Sequence, residues 1–285
     1  MKHILVPTDF SKASEVAIDF AVHAAKYLKA RITLLNSFEV AEGNYTDLMG
    51  VNREFTNDLI TEAKAKINDL RNEFIKKSDS DIDIDTVISI KSLTDAINEV
   101  GESKNIDLVV MGTLGATGIM TKLLGSNTSD VIGKTKIPVM AIPADYKWKK
   151  PENILLATKQ FEKNEAILDY LYELTYLFGA PVKTTVFTGN DETAETYVNH
   201  QKELKDYEDY LKKEYRDDTL SSVHLTGENF EETLEEYISE NQMDILAMIT
   251  YQSGFWKSLF NPSLSKQMSF HTRIPLLVIP ANYKR

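Results

Sequence analysis

The first half of the chain alternates short apolar runs with longer amphipathic stretches. Short runs rich in β-branched and aliphatic residues, with polar or turn residues on both sides, are typical of buried strands in a parallel sheet. They predict strands at 4–6, 32–35, 82–88, 107–111 and 138–142. Apolar residues spaced three or four positions apart predict helices between these strands. The helices are expected at 12–28, 55–77, 93–100 and 125–135, and a loop is expected over 36–52.

Strands that alternate with helices predict an α/β fold, in which a parallel sheet has right-handed crossovers and helices on both faces. Ser11 precedes the first helical pattern and is its expected N-cap. A ligand of such a sheet lies beyond the carboxyl ends of the strands, where the direction of the connections reverses. Asp9 follows the first strand and Gly112 follows the fourth. Both would face that crevice if the strand order is 3-2-1-4-5.

The second half of the chain repeats the pattern of the first. Residues 154–158 match 4–8 at an offset of 150, and residues 244–248 match 107–111 at an offset of 137. Residues 274–281 match 137–144, again at an offset of 137. A long internal repeat indicates two copies of one structural unit. We therefore predict two tandem domains, 1–146 and 151–285, joined by the polar segment 147–151, with a long charged helix near 192–215 in the second.

Composition narrows the possible partners. A net charge of −11 and a pI near 5.0 argue against a nucleic-acid groove, which needs clustered Lys and Arg. The chain has no cysteine, so disulfides and thiolate metal sites are excluded, and the histidines lack H-x-x-H spacing. No window is apolar enough to span a membrane, and no signal-peptide pattern precedes the first strand. We therefore expect a cytoplasmic protein that binds neither nucleic acid nor membranes.

The strand at 107–111 leads into a glycine-containing segment with Gly112, Gly115, Gly125 and Ser126. Glycines let the main chain approach a ligand closely, and the free amides at a helix N-terminus attract anions. This combination suits a phosphate group, although an ordinary strand-to-helix loop is the alternative explanation. The segment is neither a Walker loop, because no Gly-Lys-Ser/Thr follows, nor the dinucleotide fingerprint G-x-G-x-x-G.

The spacing G-x2-G-x9-G-S resembles the motif of the ATP-binding members of the universal stress protein family. The resemblance covers essentially the whole chain. It implies two tandem doubly wound, five-stranded parallel sheets of the Rossmann-like, adenine nucleotide alpha hydrolase-like kind, with strand order 3-2-1-4-5. It also implies a stress-response protein whose cofactor is ATP or another adenine nucleotide, and it allows for Mg bound to that nucleotide.

The same resemblance assigns roles to residues of the first copy. The residues of the adenosine side would be Pro7, Thr8 and Asp9, with Asp9 accepting hydrogen bonds from ribose hydroxyls or assisting a magnesium ion. The residues that flank adenine would be Ser37 and Met111. The residues that wrap the ribose and phosphates would be Gly112, Thr113 and Gly115. The residues that donate amides and hydroxyls to the phosphate chain would be Gly125, Ser126, Asn127 and Thr128. The alternatives are that Asp9 only caps the first helix, that Met111 is a core residue, and that Thr128 is a hydroxyl on the helix surface.

The second copy lacks most of these residues. The offsets place Lys159, Ile249, Gln252 and Pro262 at the positions of Asp9 and the three glycines, and only Ser126 keeps a hydroxyl, as Ser263. Proline has no N–H to offer a phosphate, and isoleucine blocks close approach. We expect that the second copy does not bind nucleotide in the manner of the first. The alternative is that Lys159 forms a different anion site.

Three functions fit these patterns. The first is a nucleotide-binding regulatory protein with one competent site, in which slow ATP hydrolysis is possible but catalysis is not the main role, because no general base or Walker lysine is visible. The second is an interaction module that acts through unknown protein partners. The third, an adenine nucleotide hydrolase or ligase, lacks the S-G-G-x-D-S loop.

The family resemblance also implies how the two copies associate. Family members commonly dimerise through their last strands, so residues 139–142 would pair with 276–279 within one chain as a pseudo-dimer. Such pairing would cover two sheet edges that otherwise invite aggregation. A homodimer of two chains is an additional alternative.

Overall fold

The structure is a computed structural model that describes residues 1–39, 51–78, 81–113, 125–158, 161–189, 193–215, 219–250 and 273–284. The chain forms two compact units. We call the described residues up to Trp148 unit 1 and those from Lys149 onward unit 2. Among the described residues, no helix is both long enough and apolar enough to cross a membrane.

Unit 1 consists of alternating strands and helices. Its elements are β1 (His3–Pro7), α1 (Lys12–Leu28), β2 (Arg31–Ser37), α2 (Val51–Ser78), β3 (Ile84–Ser89), α3 (Leu93–Lys104), β4 (Leu108–Gly112), α4 (Ser126–Lys134) and β5 (Val139–Ile142). The strands pair in the order β3-β2-β1-β4-β5, and every pair is parallel. This confirms the predicted strand order. Part of the predicted loop at 36–52 belongs to β2 and α2, and residues 40–50 lie outside the described residues.

The core of unit 1 lies between its central strands and its helices. Leu5 in β1 and Val109 in β4 pair with each other and are fully buried, as expected for strands covered on both faces. Helices α1 and α3 both contact β1, but α1 packs with α2 and α3 packs with α4. Helices therefore cover both faces of the sheet. The edge strand β3 is only partly buried over most of its length.

Unit 2 has the same arrangement within its own residues. Its elements are β6 (Ile154–Ala157), α5 (Glu165–Phe178), β7 (Val182–Gly189), α6 (Ala194–Tyr215), β8 (Leu220–Gly227), α7 (Phe230–Glu240), β9 (Ile245–Thr250) and β10 (Leu276–Pro280). Its strands pair in parallel in the order β8-β7-β6-β9-β10. This is again the predicted order 3-2-1-4-5.

One aspartate in each unit anchors the start of the first strand. Asp107 accepts hydrogen bonds from the backbone N–H groups of Lys2 and His3, at 2.6 and 3.0 Å. Asp244 accepts the corresponding bonds from residues 152–153, at 2.7 and 3.0 Å. Asp107 and Asp244 are equivalent in the sequence repeat, so the two units share a polar contact as well as a strand order.

Candidate functional site

A cavity of about 350 Å³ opens at the carboxyl ends of β1, β2 and β4 in unit 1. Its size falls within the usual range for small-molecule sites, roughly 300–1,000 Å³. The residues that line it are Pro7, Thr8, Asp9, Ser11, Ser14, Ser37, Leu93, Met111, Gly112, Gly125, Ser126, Asn127 and Thr128. The cavity therefore lies in the crevice where a parallel sheet of this order holds its ligands.

Most of the residues assigned from the sequence lie on this cavity. The exceptions are Thr113 and Gly115. Thr113 is buried, and its backbone donates a hydrogen bond to the carbonyl of Ile142 at 2.9 Å and accepts one from Gly125. Thr113 therefore fixes the backbone behind the cavity in the described structure. Gly115 lies outside the described residues.

The connection between β1 and α1 forms one wall of the cavity and holds Asp9 in place. The backbone N–H of Ser11 donates to Asp9 Oδ1 at 3.0 Å, and the N–H of Phe10 donates to Thr8 Oγ1 at 3.0 Å. The hydroxyls of Thr8 and Ser14 are 2.9 Å apart. Ser11 also caps α1, since its side chain accepts a hydrogen bond from the N–H of Ser14. This confirms the predicted N-cap. Because Ser11 caps α1, Asp9 is not needed for that role.

The carboxyl group of Asp9 is charged at neutral pH. Partial burial alone would raise its pKa, but hydrogen bonds from the Ser11 hydroxyl, from the backbone N–H groups of Ser11 and Asp9 itself, and from the Ser14 hydroxyl lower it. The net effect is a pKa below the ordinary value for aspartate. The exposed part of this carboxylate is a strong hydrogen-bond acceptor for a ligand in the cavity.

The N-terminus of α4 forms another wall. Its N-cap is Gly125, and no side chain caps the helix within the described residues. The contrast with α1 is clear, because Ser11 satisfies part of that helix terminus. The first amides of an uncapped helix need another partner, and an anion is a suitable one. Thr128 donates its hydroxyl hydrogen to the carbonyl of Gly112 at 2.9 Å, so its backbone amide is the donor that remains for a ligand.

Gly112 has a packing role that the sequence did not reveal. A Cβ atom at this position would lie 2.6 Å from the carbonyl oxygen of Ala13 and 2.8 Å from its carbonyl carbon. The end of β4 therefore approaches the first turn of α1 more closely than any side chain permits. This contact requires glycine whether or not a ligand is bound.

Unit 2 differs at the equivalent place. Ile249 replaces Gly112 and is buried. Residues 8–11 separate β1 from α1, whereas residues 158–164 separate β6 from α5, so α5 begins later relative to its strand. The offset of 150 that relates residues 154–158 to 4–8 therefore does not extend into α5. The equivalents of Asp9 and of the later glycines lie outside the described residues.

Charge in the cavity comes mainly from Asp9. Among the described lining residues there is no lysine or arginine. In the described part of the chain, no group of three or more His, Cys, Asp or Glu side chains is placed to hold a metal ion. Local amide dipoles are therefore the main source of positive potential on the described walls.

Three cavity residues were not assigned to the site from the sequence. Ser11 was predicted only as the N-cap of α1. Ser14 lies on the first turn of α1, three positions after the N-cap, and that spacing could have revealed it. Leu93 begins α3 and contributes an apolar surface. No polar or glycine signal distinguishes Leu93 from a core residue in the sequence.

Together, the fold and the cavity define a doubly wound α/β protein with an open crevice at the carboxyl ends of the strands of unit 1. A family model described as the universal stress protein family matches residues 1–143. The chain therefore belongs to the universal stress protein family.

Known relatives match about half of this chain. Universal stress protein MJ0577 of Methanocaldococcus jannaschii is 31% identical over 156 residues, which cover 50% of this chain and 94% of that protein. Universal stress protein YxiE of Bacillus subtilis is 26% identical over 143 residues, which cover 49% of this chain and 97% of that protein.

Solved structures match the whole chain in fold. A universal stress protein from Archaeoglobus fulgidus has a TM-score of 0.67 and 16% identity, and the match covers 98% of this chain and 96% of that one. A functionally unknown protein, PA1789 from Pseudomonas aeruginosa, has a TM-score of 0.64 and 14% identity, with coverage of 98% and 92%. At this level of identity, the similarity shows the fold of the chain.

Proposed function

We propose that the chain is a nucleotide-binding regulatory protein of a stress response, with ATP as its ligand and one competent site in unit 1. The observation that carries this proposal is the combination of groups on one cavity. The Asp9 carboxylate lies on one wall, and the uncapped N-terminus of α4 lies on another. A sugar hydroxyl and a phosphate need these two kinds of group.

Different residues of the cavity bind the ribose, the phosphates and the adenine base. Asp9 accepts hydrogen bonds from the ribose hydroxyls, and the backbone amides of Ser126 and Asn127 donate to phosphate oxygens. Met111 and Ser37 form the adenine side, where both line the cavity. The Ser37 hydroxyl donates to the carbonyl of Lys91 at 2.8 Å, so its oxygen remains an acceptor for the base.

Magnesium accompanies the nucleotide in this proposal. The described walls of the cavity carry no Lys or Arg to neutralise a triphosphate. Magnesium is commonly bound by one or two carboxylates together with substrate phosphates, and Asp9 is a carboxylate that fits this role. When bound, the ion would reduce the repulsion between the phosphates and Asp9.

Catalysis is not the main role in this proposal. Fast phosphoryl transfer depends on positioned cations and a group that orients the nucleophile, and the described walls of the cavity offer neither a Lys nor an Arg. Slow ATP hydrolysis is compatible with the site. In unit 2, Ile249 occupies the position of Gly112, and we propose that this unit does not bind ATP in the same manner. A cytoplasmic location, unknown protein partners and the pairing of 139–142 with 276–279 remain predictions.

Calorimetry with a matched glycine pair tests the phosphate side of the site. We expect Mg–ATP to bind nucleotide-free wild-type protein at about one equivalent, and Gly125→Val to abolish binding because a branched side chain would stand at the helix terminus. Gly133→Val is the control, since Gly133 lies in the same helix and has open space around it. Equal ATP affinity of the two variants would contradict the proposal.

A second pair tests the ribose side. Asp9→Asn should weaken ATP binding by about tenfold or more, as expected when a charge-assisted hydrogen bond worth roughly 1.5–3 kcal/mol is lost. Asp130→Asn removes the same charge from an exposed position on α4 and should leave the affinity unchanged. Titration with 2′,3′-dideoxy-ATP in the absence of magnesium should show little difference between wild type and Asp9→Asn, because only the ribose contact is then removed. A similar loss for both ligands would place Asp9 elsewhere than at the ribose.

An interaction module that binds no nucleotide is the second candidate, and one observation favours it. The packing of Gly112 against Ala13 gives that glycine a structural reason to exist without a ligand. In this case the glycines have a structural role, and the protein acts by binding protein partners through its surface. Absence of ATP binding to nucleotide-free wild-type protein would favour this candidate over the first.

A further inference from the structure

Phe10 has an unusual backbone conformation beside the cavity. Its φ is +61°, in the left-handed region that bulky residues rarely adopt. The other non-glycine residues with positive φ in the described chain lie at or just beyond the C-terminal ends of helices, where the left-handed conformation is common. They are Lys29, Asn105 and Gln242. Phe10 instead lies in the connection between β1 and α1.

The surrounding hydrogen bonds hold this conformation on both sides of Phe10. Its own N–H donates to Thr8 Oγ1, and the next N–H along the chain, that of Ser11, donates to Asp9 Oδ1. The carbonyl of Thr8 accepts a hydrogen bond from Asn36 Nδ2 at 2.8 Å. Two successive amides are thus directed to the side chains of the two preceding residues. The backbone angle at Phe10 sets the relative direction of these amides.

The same turn separates two cavities. Asp9 lines the 350 Å³ cavity, whereas Phe10 lines a second cavity of about 180 Å³ together with Phe38, Leu59 and Ala63. Phe10 is only half-buried there. The ring is therefore not enclosed by a tight core, and its packing is a weak explanation for a strained backbone. Strained backbone conformations tend to persist where the surrounding structure needs them, often at functional sites.

We propose that the left-handed backbone of residue 10 positions the Asp9 carboxylate for the ribose, and that the aromatic ring is not required for this role. Phe10 is then a positioning residue that acts through Asp9. This inference rests on the proposed function, because it assigns a purpose to the orientation of Asp9. The inference concerns the backbone angle of residue 10. A series of substitutions can distinguish the effect of this angle from the effect of the side chain.

Three substitutions of Phe10 distinguish a role of the backbone angle from a role of the aromatic ring, because the two roles predict opposite orders of ATP affinity. Glycine adopts positive φ at no steric cost, and asparagine tolerates it, whereas β-branched valine strongly disfavours it. If the backbone angle matters, Phe10→Gly and Phe10→Asn should keep ATP affinity within about threefold, and Phe10→Val should lose about tenfold or more, the cost of one charge-assisted hydrogen bond. If the ring matters, valine should be the best replacement and glycine and asparagine the worst. That second order would overturn the proposal.

A readout without nucleotide separates this inference from the proposed function. The pKa of the Asp9 carboxyl can be followed by NMR titration in each full-length variant. It should stay below the ordinary value in Phe10→Gly and Phe10→Asn and rise toward that value in Phe10→Val, where the Ser11 N–H is no longer aimed at Asp9. A rise in the glycine and asparagine variants would overturn the inference even if ATP binds. A wild-type protein that binds no ATP would contradict the proposed function, while the order of pKa values would still test the positioning role.

Phe38 supplies the matched control. It lines the same second cavity and is also half-buried, but it has no positive φ. Phe38→Gly and Phe38→Asn should not preserve any property better than Phe38→Val does. Should Phe10→Val fail to fold, the glycine and asparagine variants alone decide the question, because the ring hypothesis requires both of them to lose affinity and the low Asp9 pKa.

Discussion

At the scale of single residues, Gly112 shows how a missing side chain shapes the site. A Cβ atom there would lie 2.6 Å from the Ala13 carbonyl oxygen, a backbone atom that cannot move without shifting α1. We expect Gly112→Ala to destabilise the protein by about 1–3 kcal/mol, the usual cost of overpacking a close contact. Urea denaturation measures this change.

Gly133→Ala is the control for Gly112→Ala. Gly133 has open space around its Cβ position and lies within α4, so alanine should stabilise the helix by up to about 1 kcal/mol. Opposite signs for the two glycine-to-alanine changes are expected. Equal and small effects would mean that β4 and α1 are not packed as closely as the structure shows.

His3 gives the protein a pH-dependent contribution to stability. It is buried at the start of β1, where Nε2 is 2.7 Å from Thr33 Oγ1 and Nδ1 is 3.0 Å from the Lys104 carbonyl. Burial lowers its pKa, and the Arg31 charge adds to this, while the Lys104 backbone and the Asp85 carboxylate act in the opposite direction. The net pKa lies below 6.5, so folding favours the neutral imidazole.

The sign of this effect follows from proton binding. The unfolded state takes up a proton on His3 at a higher pH than the folded state does, so stability rises with pH across that interval. The contribution is complete above the ordinary histidine pKa and is lost as pH falls through the folded-state pKa. As the pH is lowered from about 7 to 5, the free energy of unfolding should decrease less steeply in His3→Gln than in wild type. Identical pH profiles would show that His3 titrates normally.

The residue scale also shows the limits of the sequence. Asp9 and the glycines could be proposed from their positions after predicted strands and from the family resemblance of the glycine spacing, and Asp9 with Gly112 and Gly125 does line one cavity. The left-handed backbone of Phe10 could not be predicted, because phenylalanine is not a residue that signals positive φ. The packing reason for Gly112 depends on Ala13, which lies far away in the sequence, so no local pattern contains it.

At the scale of elements, the N-termini of α4 and α1 differ in their capping. Ser11 caps α1, whereas Gly125 leaves α4 without a side-chain cap in the described structure. We expect Gly125→Asp to raise stability by a few tenths of a kcal/mol, roughly the difference between glycine and aspartate at an N-cap. The same carboxylate would occupy the amides and repel phosphate, so ATP affinity should fall.

If the start of α4 binds phosphate, Gly125→Asp should raise the stability of the protein and lower its affinity for ATP. Thermal unfolding and calorimetric titration of Gly125→Asp measure the two quantities. Asn164→Asp provides the control, because Asn164 already caps α5 in unit 2 through the N–H of Ala166. It should leave ATP affinity unchanged. Unchanged affinity in Gly125→Asp would show that α4 does not contact the ligand.

Periodicity located the elements well but not all of their ends. The strands β1, β2, β4 and β5 were predicted to within a few residues of their observed bounds. Helix α3 continues to Lys104, beyond its predicted end at residue 100. Its last turn has no apolar stripe, and the helix ends only where Asn105 adopts a left-handed C-cap. Such a stop depends on backbone geometry more than on hydrophobic pattern.

At the scale of the whole molecule, one strand order occurs in both units, but the two units have diverged at the strand ends. The repeat in the sequence predicted the shared order, since it matched strand to strand. The later start of α5 relative to α1 could not be derived from the repeat, because the match is strong in the strands and weak in the connection that follows. Divergence in such connections is where function usually changes, while the scaffold is retained.

A crystal structure of the full chain with Mg–ATP tests the central claim most directly. The account predicts one nucleotide per chain, in the cavity of unit 1, with the ribose hydroxyls on the Asp9 carboxylate and phosphate oxygens on the amides at the start of α4. Nucleotide density only in unit 2, or no density in the unit 1 cavity at saturating Mg–ATP, would contradict it.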